Sequence, residues 1–240
     1  MSAPWLAIDT ATDVASVALG SAERVCAARS MRGSRQHAAQ LVPLIQQVLM
    51  LAAVRLEHVA AVVVGDGPGS FTGLRIGWAA AKGLAHERDL PLRAVPSLLG
   101  AAHAAAQGEV GPVAACFDAL RGQVFGAIYA FPPGRVETLV APALVTLAAL
   151  ARVAPVRPLV AVGDGAQRYS DEVLSWTGRA PVGLDTLPPV ASSLLALATR
   201  EGASRPLGDP AVAEPVYGRP AEAQVKWEAH HGRPLPHSSR

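Results

Sequence analysis

The sequence predicts an α/β protein of two similar domains, formed by a duplicated β-β-β-α-β-α unit. Short apolar runs alternate with stretches of helical periodicity, which is typical of this class. Two patterns also occur twice in the same order. An apolar strand ends in Asp at Asp9 and again at Asp118, and an apolar strand enters a Gly-Asp-Gly turn at Asp66 and again at Asp164. Two patterns that recur in the same order and at similar spacing indicate an internal duplication.

The first half begins with three strands over 5–8, 14–19 and 25–28, joined by tight turns. A helix is predicted over 36–53 with Pro43 inside it, followed by a continuous apolar strand over 59–64 that is buried on both faces. After a Gly-rich loop we expect a helix over 72–86, a strand over 92–95, and a helix to residue 106 that is N-capped by Ser97. These elements make one complete unit.

The second half restarts the same pattern after a Gly- and Pro-containing linker at 107–112. We therefore predict an N-terminal domain over 1–107, which carries the partner-binding helices named below, and a C-terminal domain over 108–222. The polar, proline-rich segment 223–240 is predicted to be a disordered tail. The repeated unit resembles the ASKHA architecture (actin, sugar kinase and Hsp70-like), in which two like domains face each other across a cleft.

Composition excludes several classes of protein. The chain has 240 residues, of which 50% are hydrophobic and 17% charged, so it is not a disordered protein. The net charge of +2 comes mostly from scattered arginines, and without a basic stripe we expect no direct binding of nucleic acid. The segment 1–9 does not resemble a signal peptide, and the longest apolar stretch, 139–151, is too short to cross a membrane. The expected location is the cytoplasm. Cys26 and Cys116 are predicted to be small buried hydrophobic residues rather than a disulfide or a metal site.

Two turns are candidate sites for a nucleotide or another anion. The candidate residues are Asp9, Thr10, Gly67, Gly69, Ser70 and Asp118. An acid at a strand end can position Mg²⁺, and a loop before a helix can direct N–H groups at phosphate oxygens. The alternative is structural, because the first turn lacks glycine and the Gly-rich loop contains Pro68 and no P-loop lysine. On that interpretation both are tight turns.

Small residues recur every four positions along the helix over 72–86, at Gly73, Gly77, Ala81 and Ala85. Glycine inside a helix costs about 1 kcal/mol relative to alanine, so something must pack closely against this stripe. The neighbour is either another helix of the same core or a helix of a second subunit.

No catalytic residue and no metal site are predicted from spacing. A helical metal site needs histidines at positions i and i+4, whereas His37 is followed at that distance by Leu41. We also find no nucleophile and base at a spacing that would indicate a catalytic pair.

Several strings together resemble the TsaB (YeaZ) family. They are Leu6-Ala7-Ile8-Asp9-Thr10-Ala11-Thr12, Gln36-His37-Ala38-Ala39-Gln40-Leu41-Val42-Pro43-Leu44-Ile45, Gly67-Pro68-Gly69-Ser70-Phe71-Thr72-Gly73-Leu74-Arg75-Ile76-Gly77, Lys82-Gly83-Leu84-Ala85, Asp118-Ala119-Leu120-Arg121-Gly122-Gln123-Val124-Phe125 and Pro215-Val216-Tyr217-Gly218-Arg219. In the last string Gly218 replaces the leucine of the family. The resemblance implies an ASKHA-like fold without a competent active site, related to the transferase TsaD. In TsaD a His-x-x-x-His helix holds a metal, and Leu41 stands at its second histidine position.

The resemblance also implies a function. We expect a non-catalytic scaffold or activator subunit, not an enzyme by itself, of the complex that adds the threonylcarbamoyl group to the adenosine next to the anticodon of tRNAs (t6A). Its expected partners are a TsaD-like transferase and a TsaE-like ATPase, with tRNA contacted only through the complex and no membrane involved. The predicted interface residues are His37, Leu41, Leu44, Gly73, Arg75, Gly77, Ala81 and Lys82.

Four alternatives stay open at this point. The two-helix face could instead join two copies of this chain as a homodimer. The chain could be a nucleotide-binding ASKHA ATPase or a small-molecule kinase, or an M22-like metallopeptidase. No cofactor is expected for the isolated subunit, although ATP or ADP with Mg²⁺ could occupy a subunit junction.

Overall fold

Ten strands and seven α-helices make up the computed structural model, which describes residues 3–33, 36–106, 111–219, 227 and 230–232. The strands are β1 Trp5–Asp9, β2 Val14–Gly20, β3 Val25–Arg32, β4 Ala61–Gly65, β5 Leu92–Val95, β6 Val113–Asp118, β7 Val124–Ala130, β8 Glu137–Val145, β9 Val160–Val162 and β10 Arg205–Leu207. The helices are α1 His37–Leu51, α2 Phe71–Glu87, α3 Ser97–Ala106, α4 Leu147–Val153, α5 Asp164–Arg168, α6 Ser170–Thr177 and α7 Val190–Ala198. Short 3-10 turns lie at Leu56–His58 and Leu184–Thr186.

Two sheets confirm the predicted duplication. The first has the order β10-β5-β4-β1-β2-β3 and the second has the order β8-β7-β6-β9. In each, an antiparallel three-stranded meander is followed by a strand that pairs in parallel with the first one: β1 with β4, and β6 with β9. The order β3-β2-β1-β4 is therefore repeated as β8-β7-β6-β9, and the ASKHA-like α/β fold class is confirmed.

The first sheet is buried on both faces, as the continuous apolar pattern of β4 predicted. Alternate residues of a strand point to opposite faces. Leu6 and Ile8 pack with α1 and α2 on one face, whereas Ala7 and Val63 pack with α3 and α7 on the other. The apolar cluster that contains Ala7 and Val63 also includes residues of the second sheet, such as Phe117 of β6 and Ala127 of β7. Thus α3 and α7 form a layer between the two sheets.

The C-terminal part of the chain returns to the first sheet. Helix α7 is buried on nearly all sides, and β10 pairs antiparallel with β5. The limits 1–107 and 108–222 stay a prediction as domain boundaries, but strand pairing places 205–207 with the first sheet. Helix α7 packs on β1, β2, β4 and β5 of the first sheet and on α3, and the chain that follows it reaches the edge at β5.

Four local expectations need correction or lie largely outside the described residues. Ser97 is the first residue of α3, and its hydroxyl bonds to Asp9 and Gly67 rather than acting as the predicted N-cap. Cys26 is exposed on the edge strand β3, whereas Cys116 is buried as expected. Most of the predicted linker 107–112 and of the tail 223–240 falls outside the described residues.

Among the helices that the structure describes, none combines the length and the apolar character needed to cross a membrane.

The layer between the sheets generates a stability prediction. Leu194 of α7 is fully buried, and a methyl group added at Gly100 of α3 would lie 2.6 Å from Leu194 Cδ2, so the two helices are in close contact. We expect Leu194→Ala to lower the free energy of unfolding by about 3 kcal/mol, because it leaves a cavity between tightly packed helices. Urea unfolding measures this change.

The matched control is Leu174→Ala on α6, where the side chain is 51% exposed. That substitution should change the free energy of unfolding by less than about 0.5 kcal/mol. Equal effects of the two substitutions would contradict the proposed layer.

Candidate functional site

An open polar cleft of about 430 Å³ lies between the two halves of the molecule. Its lining residues come from strand ends and from α5: Asp13, Arg32, Asp118, Asp164, Gln167 and Arg168. Asp118 ends β6 and Asp164 begins α5, so the duplicated strand–turn geometry brings both carboxylates to one edge of the second sheet. Of the predicted anion-binding residues, only Asp118 lies in this cleft.

The arginines of the cleft are already paired with its carboxylates. Arg32 Nε lies 2.9 Å from Asp13 Oδ2, and Arg32 Nη1 lies 2.9 Å from Asp185 Oδ2. Arg168 Nη1 lies 3.0 Å from Asp118 Oδ2. A phosphate or Mg²⁺ ligand would have to displace these internal partners before it could bind. These ion pairs therefore offset the charges of Asp13 and Asp118 without a ligand.

Asp164 is held by backbone donors at the base of the cleft. Its Oδ1 accepts hydrogen bonds from the N–H groups of Asp118 at 3.0 Å and Gly165 at 2.9 Å. Burial raises the pKa of Asp164 to about 6, against the lowering effect of these two hydrogen bonds, and the carboxylates of Asp13 and Asp118 raise it further. Near neutral pH the ionised Asp164 carboxylate therefore lowers the stability of the folded state.

Asp9 does not line the cleft, so it does not offer the accessible carboxylate that its predicted role at a nucleotide or anion site requires. The side chain is buried, and its Oδ2 accepts a hydrogen bond of 2.6 Å from Ser97 Oγ while Oδ1 accepts one from the Ala11 N–H. Burial raises the pKa of Asp9, whereas the hydrogen bonds from Ser97 and Ala11 lower it. A Cβ at Gly65 would collide with Asp9 Oδ2. Asp9 is therefore a structural carboxyl group that holds β1, β4 and α3 together.

The Gly-rich loop uses its own donors internally. The Ser70 N–H donates to the Ala11 carbonyl at 2.7 Å, and the Gly67 N–H donates to Ser97 Oγ at 3.2 Å. Ser70 Oγ is the N-cap of α2 and accepts from the Gly73 N–H. Gly67 has a φ of +90°, which favours glycine. The geometry supports the structural interpretation of this loop.

Thr10 and Gly69 likewise have structural roles. Thr10 is buried, and its hydroxyl donates to the Gly73 carbonyl at 2.8 Å. A Cβ at Gly69 would collide with the Ala11 carbonyl oxygen. Close packing within the chain therefore explains both residue types.

The stripe of small residues on α2 faces the same chain. Side chains added at Gly73 and Gly77 would collide with the carbonyl oxygen and hydroxyl of Thr10, and Ala81 lies in the core. At Gly73 and Gly77 this favours the alternative in which the stripe packs within its own chain. The close neighbour that the stripe requires is the turn after β1.

The predicted interface residues of α1 are also internal. His37, Leu41 and Leu44 are buried against the first sheet, and His37 Nε2 lies 3.3 Å from the Asp13 carbonyl oxygen. A partner could not reach these side chains in this conformation. Among the described residues, no group of three or more His, Cys, Asp or Glu side chains could hold a metal ion. Arg75 and Lys82 are the two predicted residues that remain at the surface of α2.

The outward sides of α1 and α2 contain residues that the sequence analysis missed. On α1 they include Val42 and Met50, which are 56% and 74% exposed, and on α2 they include Phe71 and Ala79. Val42 and Met50 lie outside the apolar stripe that faces the core, and this surplus of apolar residues was a signal available in the sequence. Both helices lie on the same face of the first sheet, so their outward sides are adjacent.

The ionisation of Asp164 generates a prediction. Because its pKa in the folded protein lies above the unfolded value of 3.8, the folded state binds the proton more tightly, and this group lowers stability as the pH rises from about 4 to about 6. Asp164→Asn keeps an acceptor for the two N–H groups without the charge. At pH 7.5 it should raise the free energy of unfolding by on the order of 1–2 kcal/mol, with no gain at pH 4.

Urea unfolding at pH 4, 5, 6 and 7.5 measures this difference. The control is Glu201→Gln, which removes an exposed carboxylate remote from the cleft. A difference between wild type and Asp164→Asn that stays constant with pH would show that the assignment is wrong.

Comparison with known proteins identifies the family. Residues 31–168 match the family model described as "TsaD: tRNA N6-adenosine threonylcarbamoyltransferase". The tRNA threonylcarbamoyladenosine biosynthesis protein TsaB of Bacillus subtilis is 30% identical over 92% of this chain and 96% of its own length. The Escherichia coli protein of the same name is 39% identical over 52% of this chain, and that match spans 54% of the relative.

Solved structures agree with this result. YeaZ from Pseudomonas aeruginosa superimposes with a TM-score of 0.69 at 31% identity, covering 90% of this chain and all of that one. A second Pseudomonas aeruginosa structure, described as similar to the peptidase YeaZ, gives a TM-score of 0.71 at 31% identity over 91% of this chain. With a full-length relative at 30% identity and a shared fold, the chain belongs to the TsaB (YeaZ) family.

Proposed function

We propose that the chain is a non-catalytic subunit of the machinery that forms threonylcarbamoyladenosine in tRNA, and that it acts by binding and activating a TsaD-like transferase. The relatives' names support a role in this biosynthesis. A TsaE-like ATPase would join the same complex in the cytoplasm, and tRNA would be contacted through the complex. The net charge of +2 gives this chain little affinity of its own for polyanions.

The observation that carries the proposal is the outward side of α1. From His37 to Leu51 this helix contains no Asp, Glu, Lys or Arg, although eight of its 15 residues are exposed to solvent. The exposed residues are either apolar or uncharged polar: Ala38, Ala39, Gln40, Val42, Gln46, Gln47, Met50 and Leu51. Depletion of charge at the centre of a surface, together with exposed Met, is typical of a protein–protein interface.

The adjacent helix extends this surface and adds charge at its edge. Helix α2 is about 25 Å long and α1 about 22 Å, and the two lie side by side on the first sheet. Arg75 and Lys82 lie on the exposed part of α2. The surface can provide the roughly 800 Å² per partner that a stable complex needs.

The identity of the partner follows from the similarity of the chain to the transferase itself. The TsaD family model matches residues 31–168, which include α1 and α2. A TsaD-like protein would therefore present the equivalent pair of helices, and two similar surfaces can pair about a pseudo-twofold axis. The same geometry would allow a homodimer of this chain when the transferase is absent.

The candidate site gives no comparable support to the enzymatic alternatives. A kinase or ATPase needs carboxylates and N–H groups that are free to hold Mg²⁺ and phosphate, whereas Asp118 and Asp13 are paired with arginines and Asp9 is buried. A metallopeptidase needs a metal ligand where Leu41 stands. We therefore assign no catalytic residue to this chain and no cofactor to the isolated subunit, while ATP or ADP with Mg²⁺ at the junction with the partner stays an expectation.

The docking surface generates a binding prediction. We expect Val42→Glu and Met50→Glu to weaken binding to a TsaD-like transferase at least tenfold, because each places a charge on the uncharged side of α1 that the partner would cover. Both side chains are exposed, so the thermal midpoint of the isolated chain should not change. Isothermal titration calorimetry measures the affinity.

Leu174→Glu on α6 is the matched control, since it adds the same charge at a side chain that is 51% exposed on the second half. It should bind like wild type. If both α1 variants bind the transferase with wild-type affinity, the outward side of α1 is not the docking surface.

Nucleotide binding gives a second test. We expect calorimetry of the isolated chain with Mg-ATP to show no binding in the micromolar range and no turnover. Micromolar binding with hydrolysis would establish the ATPase alternative instead. Asp118→Asn and Asp164→Asn would then identify whether the cleft is responsible.

A further inference from the structure

Residues 205–219 run along the outside of the molecule from β10 to the second half, and we call this segment the strap. It begins with a two-pronged ion pair: Arg205 Nε lies 2.9 Å from Asp66 Oδ2, and Arg205 Nη2 lies 2.9 Å from Asp66 Oδ1. The Asp66 side chain is only 7% exposed. Because a buried carboxylate is costly without a partner, Arg205 fixes the strap to the end of β4.

The middle of the strap rests on the Gly-rich loop. The Val216 N–H donates to the Asp66 carbonyl oxygen at 2.8 Å, and a Cβ at Gly67 would collide with the Val216 carbonyl oxygen. Arg205 Nη2 also donates to the Glu214 carbonyl oxygen at 3.1 Å, which closes the strap on itself. The loop and the strap thus fit together through backbone contact.

The first turn of α2 is held by an aromatic contact with the strap. The rings of Phe71 and Tyr217 lie 4.8 Å apart, and Phe71 is the first residue of α2. The Arg75 guanidinium lies 4.7 Å above the Phe71 ring, and Arg75 Nε lies 3.4 Å from the Tyr217 hydroxyl. Further along α2, Lys82 Nζ donates to the Ala211 carbonyl oxygen. Both surface cations of the proposed docking helix are therefore oriented by the strap.

The far end of the strap reaches the second half of the molecule. Gly218 has a φ of +70° and lies between Pro68 of the loop and Phe125 of β7. Arg219 Nη2 donates to the carbonyl oxygen of Ala119, in the turn after β6. One segment therefore contacts the loop, α2 and the second sheet.

We propose that the strap is a positioning element for the docking surface: it holds the N-terminal end of α2 and the cations Arg75 and Lys82 in the arrangement that binds the transferase. The inference rests on the proposed function for its partner. Because coupling between two sites is reciprocal, binding of the transferase should in turn stabilise the strap.

The test uses the full chain with Tyr217→Ala and, separately, Arg205→Gln. In the isolated protein we expect each substitution to speed amide hydrogen exchange of residues 66–80 at least fivefold, because local opening near the loop becomes easier. Affinity for the transferase should fall about three- to tenfold. Addition of the transferase to wild type should slow exchange of residues 211–217.

Arg55→Gln is the matched control, because it removes an exposed ion pair with Glu57 that lies away from the strap. It should leave exchange and affinity unchanged. A lower thermal midpoint of Arg205→Gln would mean that this variant is destabilised as a whole. The test then rests on Tyr217→Ala, which leaves the buried ion pair between Arg205 and Asp66 intact. Unchanged exchange of residues 66–80 in Tyr217→Ala, or faster exchange with wild-type affinity, would overturn the proposal.

The two proposals fail in different ways. A wild-type chain that does not bind the transferase would overturn the proposed function and the coupling together. Binding that is lost in Val42→Glu but retained in both strap variants would support the docking surface and overturn the strap as its positioning element.

Discussion

The close packing of α2 against the turn after β1 is the contact on which most of this structure depends. At Gly73 and Gly77 the helix approaches Thr10 so closely that no side chain fits, and the Ser70 N–H reaches the Ala11 carbonyl oxygen. This approach explains why glycines occur inside a helix despite their cost. It also occupies the donors of the loop, and it turns the opposite side of α2 toward solvent.

The fate of the carboxylates separates the two halves of the duplicated unit. In the first half Asp9 and Asp66 are buried with Ser97 and Arg205, respectively. Their counterparts in the second half, Asp118 and Asp164, line the cleft. The first half therefore uses its strand-end acids to join elements of structure, and the arginines in the cleft neutralise acids in the second half.

The return of the chain to the first sheet connects these features. Helix α7 fills the layer between the sheets, β10 extends the first sheet, and the strap then passes over the loop and α2. The core and the proposed docking surface are consequently both in contact with the same C-terminal third. The segment Pro215-Val216-Tyr217-Gly218-Arg219, recognised in the sequence only as a family string, lies where the two halves and α2 meet.

Much of the fold could be predicted because its causes are local. Apolar periodicity identified β1 to β5 and the first three helices within a few residues, and the two repeated Asp-containing patterns identified the duplication. The family strings also determined the membership that the relatives confirm. The sequence could not reveal which neighbour covers the small stripe on α2, since a stripe of Gly and Ala fits any close surface.

Only the tertiary structure decided which group each strand-end Asp contacts. Whether a strand-end Asp binds a ligand or a core hydroxyl depends on residues far along the chain: Ser97 lies 88 positions from Asp9, and Arg205 lies 139 positions from Asp66. Likewise, the apolar character of α7 does not reveal that the first sheet and α3 cover it. The sequence by itself determined the elements, the repeat and the family, because these follow from local pattern. The closed loop, the paired cleft and the strap follow from contacts between distant residues, which only the folded chain brings together.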